Sequence, residues 1–414
     1  MNSSSAIDIA TVGAELASLA AISEHAAPAV TRIVFSDQDM QARAFVEERC
    51  GAAGLTVRHD AVGNMFARWP GTEPTVPAVA TGSHIDAIPN AGAYDGTVGV
   101  LGGLEAIRAL QRAGFRPRRS LELIVFTAEE PTRFGLGCLG SRLMAGTLNP
   151  AVADAFRDSS GRTLADWRGS RGFQGALESV RLGPQHYHTF VELHIEQGGS
   201  LERDAVDLGV VEKIAAPSSF RLELTGEGGH AGAVLMPGRR DALLAGAEVA
   251  LAVERAVRTS GSDDTVGTTG VFRIEPGAVN SVPARAHLEI DLRDTDVATR
   301  EKARREIEAS MGEICMRRGI EARWQVINSD PPAICSSTIL SAIEAAADDC
   351  SLSHRRMVSR AYHDTLFMSL FGPVAMIFIP CRNGWSHRPD EYASPKQIAG
   401  GIAALAGALH RLST

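Results

Sequence analysis

Residues 76–130 read VPAVATGSHIDAIPNAGAYDGTVGVLGGLEAIRALQRAGFRPRRSLELIVFTAEE, and the order of patterns within them decides the fold. An apolar run, VPAVATGSH, precedes a glycine-rich helical stretch, DGTVGVLGGLEAIRALQRAG, and a second apolar run, LELIVFTAEE, follows. Near-continuous apolar strands joined through a helix are what a parallel sheet covered on both faces requires. The pattern predicts an α/β fold with a mostly parallel sheet flanked by helices, whose ligands gather at the carboxyl ends of the strands.

Upstream, residues 38–53 predict an amphipathic helix stopped by glycine, and LTVRHDAVGNMFARWPG predicts a strand, a turn at Gly63-Asn64 and a second strand. Downstream, the pattern changes around Val211–Pro217. FRLELTGEGG alternates like a strand, RRDALLAGAEVALAVERAVR is helical, and TVGTTGVFRIEPGAVNSVPARAHLEIDLRD supplies two strands. TREKARREIEASMGEICMRRG is a second helix and IEARWQVI a last strand. This βαββαβ succession predicts an inserted domain over 213–329, with 1–212 and 330–414 forming the main domain.

The chain has 414 residues, enough for two domains, and its 44% apolar and 22% charged content is that of a globular protein. Its net charge of −8, without a basic block, argues against nucleic acid as a partner. The start, MNSSSAIDIATVGAELASLAAIS, has no basic segment before its apolar stretch, and no run is long enough to span a membrane. Six scattered cysteines without a C-x-x-C pair predict buried thiols, and a cytoplasmic location follows.

Four segments concentrate potential metal ligands: GSHIDAIPNAGAYDG (His84, Asp86, Asp95), FTAEEPTRFG (Glu129, Glu130), VELHIEQG (His194, Glu196) and CRNGWSHRPDEY (His387). Each has an ordinary alternative: a surface His–Asp pair, a solvated Glu-Glu pair, a core histidine, a loop histidine. Two adjacent carboxylates at the end of an apolar strand, however, resist burial unless a cation compensates them. Asp86, two residues beyond His84, could receive the imidazole's other N–H and fix the coordinating nitrogen.

The order HxD, DG, EE, HxEQG and a late NGxSH resembles the M20 family of metallopeptidases and amidohydrolases along the whole chain. That resemblance implies two divalent metal ions per subunit, Mn²⁺ or Zn²⁺ with Co²⁺ also suited. It places Asp95 as the bridge, His84 and His194 on one metal, Glu130 and His387 on the other, and Glu129 as general base. It also implies that the inserted domain is a lid through which two copies form a homodimer.

The stretches HIEQG, HAG at 230–232, GAVNSVPARAHLEIDLRD and PCRNGWSHRPDE are similar to the hydantoinase/carbamoylase branch of that family. The similarity implies that Gln197 contacts a ureido group, His230 caps the oxyanion, and Asn280 and Arg293 grip a substrate carboxylate. Asn280 could equally be a turn residue, and Arg293, within DLRD, could pair with Asp291 or Asp294. HAGAVLMPGRRDA and SRAYHDTLFM depart from the commoner branch pattern and resemble ureidoglycolate-cleaving members, which brings Tyr362 and His363 forward as substrate contacts. The implied substrate is a small ureido acid, foremost ureidoglycolate, cleaved to glyoxylate, ammonia and carbon dioxide. N-carbamoyl-L-amino acids or allantoate are the alternative, and a binding protein without turnover is a third possibility that the intact Glu129 opposes.

Overall fold

Strand β1 (Ala78–His84), helix α1 (Thr97–Arg112) and strand β2 (Leu121–Phe126) follow one another in the computed structural model, which describes residues 7–414. Every residue of β1 and β2 is buried, in keeping with their near-continuous apolar runs. Gly99 lets α1 seat on the sheet: a Cβ there would lie 2.3 Å from the Leu193 carbonyl oxygen. The first residues of the chain's start lie outside the described residues, and Ile9–Ala21 is helical.

The described chain divides into two compact units. One takes the residues up to Glu212 with Ile334–Met357 and His363–Thr414, and the other takes Lys213–Ala333 and Val358–Tyr362. The second unit thus includes a short return segment around Arg360 that a single cut near residue 330 leaves out.

In the first unit, strands Val374–Ile379, β3 (Tyr187–Ile195), β1 and β2 lie side by side and parallel. Leu208–Ile214 on one side and Met65–Trp69 on the other are antiparallel to their neighbours, so the sheet is parallel at its heart and mixed at its margins. Helix α1 and the C-terminal helix Pro395–Ser413 pack against this heart and against each other. The four parallel strands share one carboxyl edge. His84 ends β1, His194 is next to last in β3, Glu129 lies three residues beyond β2, and His387 lies eight beyond Ile379.

The second unit is a four-stranded antiparallel sheet in the order β6 (Val266–Glu275), β8 (Arg285–Asp294), β4 (Ala216–Thr225), β9 (Glu321–Ser329). Buried and less buried residues alternate along β8, the period of a strand with one covered face. Helices α2 (Ala242–Arg258) and α3 (Val297–Arg318) cover that face, with Leu222, Val249, Leu288, Ile290 and Ile307 in the shared core. A two-residue ribbon, β5 (Gly229–His230) paired with β7 (Ser281–Val282), stands apart from the sheet. The βαββαβ pattern accounts for the sheet; the ribbon is too short to leave a periodic signal.

Among the described residues no helix is long and apolar enough to cross a membrane. Cys50, Cys138, Cys315, Cys335 and Cys381 are buried thiols, whereas Cys350, also expected to be buried, is only partly so.

Candidate metal centre

Asp95 stands at the centre of the carboxyl edge and divides its two oxygens. Oδ1 lies 3.1 Å from His194 Nε2 and 3.9 Å from His84 Nε2. Oδ2 lies 3.1 Å from His387 Nε2, which is itself 3.4 Å from Glu130 Oε1. The ligand atoms therefore fall into two groups, His84–Asp95–His194 and Asp95–Glu130–His387, with Asp95 common to both. Glu129 Oε2 lies 3.8 Å from His84 Nε2, beside the first group. Gly96 makes the approach of His84 possible: its φ is +65°, and a Cβ would sit 2.5 Å from the imidazole ring.

Backbone carbonyls orient both buried histidines. His84 Nδ1 faces the Asp86 carbonyl at 3.0 Å, and His194 Nδ1 faces the Ile195 carbonyl at 2.9 Å. A proton held on each Nδ1 leaves Nε2 as the coordinating nitrogen, directed at Asp95. The expectation for the Asp86 side chain is corrected here. Its carboxylate, 3.8 Å from His84 Nδ1, instead accepts the backbone N–H groups of Glu129 at 3.2 Å and Glu130 at 3.1 Å. Those two amides at the end of β2 would otherwise be buried donors without partners, so they take the carboxylate and the carbonyl serves the ring. Glu196 also turns away from the centre, accepting the backbone N–H of Ser200 and Leu201 at 3.0 and 2.8 Å.

The electrostatics are those of a cradle built for cations. Burial, then the neighbouring Glu130 and Asp364, hold the Glu129 carboxyl well above its usual range. Burial and the Asp95 charge push Glu130 up to about 8. Asp95 is held well below its range although buried, because His194 and His387 bond to it. Against its own burial, His194 is raised to about 9 by Asp95, and His387 is raised to about 9 by the same partner. His84, with the burial cost dominant, is lowered to about 4. Burial and mutual repulsion thus favour the neutral form of the Glu129 and Glu130 carboxyls, while Asp95 favours the charged form of His194 and His387. Three imidazoles and several carboxylates form a donor set that fits divalent first-row metals, which bind by displacing such protons.

Several supporting residues carried no recognisable ligand signal. Glu391 Oε1 accepts the backbone N–H of Tyr94 at 2.8 Å and of Asp95 at 3.0 Å, while Ser386 Oγ donates to its other oxygen at 2.9 Å. It lies four residues beyond His387, in the segment already singled out, and an acid there was the one available hint. Buried Cys138 places its thiol 3.6 Å from Glu129 Oε1. Gln197, at φ +55°, donates Nε2 to Asp95 Oδ1 at 3.0 Å and to Ser386 Oγ at 3.1 Å. His363 is buried with its ring 4.6 Å from that of His194, edge to face, and forms a further potential ligand group with His194 and Glu192.

The remaining expected residues belong to the second unit. His230 and Asn280 are exposed and adjacent, since His230 pairs with Ser281 and the Ala231 N–H donates to the Asn280 carbonyl at 2.9 Å. The Gly232 N–H donates to His230 Nδ1 at 3.2 Å, which fixes the ring proton on Nε2 and presents an outward N–H. Arg293 is paired with Asp291, Nε to Oδ1 at 2.7 Å, and donates to the Arg360 carbonyl at 2.9 Å. Asn280 lies five residues before the start of β8, and Arg293 is next to the strand's end. Tyr362 donates its hydroxyl to Asp330 Oδ2 at 2.6 Å.

Residues 80–411 match peptidase family M20/M25/M40. The chain belongs to that family. It is a metal-dependent amidohydrolase, as its motifs led one to expect. Ureidoglycolate hydrolase of Oryza sativa subsp. japonica is 51% identical over 401 residues, covering 95% of this chain and 83% of that protein. Ureidoglycolate hydrolase of Arabidopsis thaliana is 49% identical over 418 residues, 99% of this chain and 88% of the relative. Crystal structures of AtUAH with (S)-hydroxyglycine and with glyoxylate superpose with a TM-score of 0.91 at 48% identity, covering both chains completely. The family's mixed sheet and the branch similarity of the motifs agree with these matches.

Proposed function

We propose that this protein hydrolyses ureidoglycolate with two divalent metal ions in the Asp95 cradle. The observation that carries the metal assignment is the division of Asp95, one oxygen toward His84 and His194, the other toward Glu130 and His387. The substrate assignment is supported by near-full-length similarity to two ureidoglycolate hydrolases and by the hydroxyglycine and glyoxylate bound to a structural relative. Mn²⁺, Zn²⁺ and Co²⁺ all suit the mixed imidazole–carboxylate donors. When bound, such a pair would lower the pKa of a water and polarise the scissile carbonyl.

Glu129 takes the proton of the attacking water and delivers it to the leaving nitrogen, which departs poorly as an anion. Cleavage of the terminal ureido C–N bond releases ammonia and leaves a carbamate, which loses carbon dioxide. The hydroxyglycine that remains expels its second nitrogen as ammonia to give glyoxylate. Gln197, beside Asp95, contacts the ureido end; His363, packed on His194, and Tyr362 flank the substrate. The outward Nε2–H of His230 stabilises the oxyanion, with Asn280 next to it. Arg293 exchanges Asp291 for the substrate carboxylate.

The adjacency of His230 and Asn280 on the ribbon supports their acting together, and in this reading they come from one chain of a pair and Arg293 from the other. An isologous homodimer through the inserted, lid-forming unit over about 213–329 provides this. Leu251 on α2 is 63% exposed and Phe272 on the edge strand β6 is 38% exposed, apolar surface that a second copy covers. The protein works in the cytoplasm.

Ammonia release is the test, measured with ureidoglycolate, allantoate and a series of N-carbamoyl-L-amino acids after adding Mn²⁺, Zn²⁺ or Co²⁺ to the metal-free protein. Ureidoglycolate should give the highest kcat/KM, with glyoxylate formed alongside. Faster turnover of an N-carbamoyl amino acid would overturn the substrate while leaving the cradle intact.

A further inference from the structure

The loop that follows His230 has almost no packing to hold it. Gly232–Gly238 are all exposed, and Leu235 and Met236 keep 75% and 67% of their surface. Inside the loop, the Ala233 and Val234 N–H groups donate to the His230 carbonyl, each at 3.0 Å. A single turn of this kind, without a buried apolar anchor, does not offset the entropy of ordering its residues.

One side chain supplies the missing anchor. Arg239 donates Nη2 to the Ala231 carbonyl at 2.5 Å and to the Val234 carbonyl at 2.6 Å, and Nε to the Val234 carbonyl at 3.0 Å. Among the described residues, it is the one side chain other than that of His230 seen to hydrogen-bond to the loop from outside it. The planar guanidinium grips the two carbonyls at once, which a lysine ammonium on its flexible stem does not reproduce. The gripped carbonyls bracket Gly232, whose N–H bonds to His230 Nδ1 and fixes that ring's tautomer.

We propose that Arg239 is a positioning residue for His230: by strapping the Ala231 and Val234 carbonyls it holds the Gly232 N–H on Nδ1, so that Nε2–H stays aimed outward as an oxyanion donor. This inference rests on the catalytic assignment of His230 above. Arg239 acts on the turn and touches no substrate.

The test is a double-variant cycle in the metal-loaded protein with ureidoglycolate. Removing an oxyanion donor costs about 10²–10³ in kcat, so His230→Ala sets the ceiling. Arg239→Ala should lower kcat by at least about 10-fold but less than that ceiling, with KM little changed. Arg239→Lys should recover part of the loss, and added guanidinium should partly rescue Arg239→Ala. In His230→Ala/Arg239→Ala the second change should cost nothing further, since both act through one ring. Hydrogen exchange should rise across residues 229–238 of Arg239→Ala, with the thermal transition and metal content as in the parent. Losses that multiply in the double variant, or an unchanged kcat in Arg239→Ala, overturn the strap and leave His230 as a donor. Full kcat in His230→Ala alone removes the catalytic assignment and the inference with it.

Discussion

Asp95 and His230 are held in opposite ways. Asp95 is buried, with its backbone N–H fixed by Glu391 and its carboxylate shared among three histidines and Gln197. His230 is exposed on a two-residue ribbon, oriented by one N–H from its own loop. The cradle is over-determined within its unit, and each of its groups has a partner that sets its direction. The ribbon is specified only enough to present a donor. A site that must bind highly charged ions needs the first arrangement, because misplaced carboxylates in a buried pocket repel. The donor role proposed for His230, completing the site of another chain, would suit the second, since its final surroundings would come with that chain.

The largest expected effect separates binding from proton transfer inside the cradle. Glu129→Gln keeps His84, Asp95, Glu130, His194 and His387, so metal content by elemental analysis should match the parent. Its kcat should fall by about 10²–10⁴. Equal loss of metal and activity would make Glu129 a ligand and merge the two roles distinguished here.

Arg293 tests whether the second unit contributes beyond its ribbon. Arg293→Ala removes a charge-assisted contact, and kcat/KM for ureidoglycolate should fall by an amount equivalent to about 1.5–3 kcal/mol. The corresponding neutral amide, slow from the start, should lose far less. Similar losses for both substrates would assign Arg293 to its Asp291 and Arg360 contacts alone.

Subunit mixing probes the contrast between cradle and ribbon directly. On the proposed dimer, the inactive variants Glu129→Gln and His230→Ala are dissociated and reassociated together. Random pairing makes half the dimers mixed, each with one site that has both intact residues, so roughly a quarter of parent activity should return. No recovery despite proven exchange would place His230 and Glu129 of one site in one chain.

The smallest effect concerns protons in the cradle. Glu130 at about 8 and His194 and His387 at about 9 all titrate above their ordinary values, 4.5 for Glu and 6.5 for His. The folded metal-free chain therefore binds more protons than the unfolded chain between about pH 5 and 9, and its Tm should fall as pH rises through that window. Metal binding requires the same groups deprotonated, so the Tm gained on adding Zn²⁺ or Mn²⁺ should grow with pH over the same range. A pH-independent gain would mean that the cradle's protons and the metals do not compete.

Sequence patterns alone determined the parallel heart of the sheet, the βαββαβ succession and the ligand-rich segments. Each of these is written in local periodicity or in short spacings: the buried run of β1, the alternation along β8, His84 and Asp86 two residues apart. Only tertiary structure decided which atom serves which partner. The Asp86 carboxylate serves the amides of Glu129 and Glu130 because those buried N–H groups arrive from another strand, forty-odd residues away. Glu391 reaches Asp95 across nearly three hundred residues. Local pattern fixes the elements because backbone geometry has short periods; the pairing of polar groups is settled by which donors burial leaves without water.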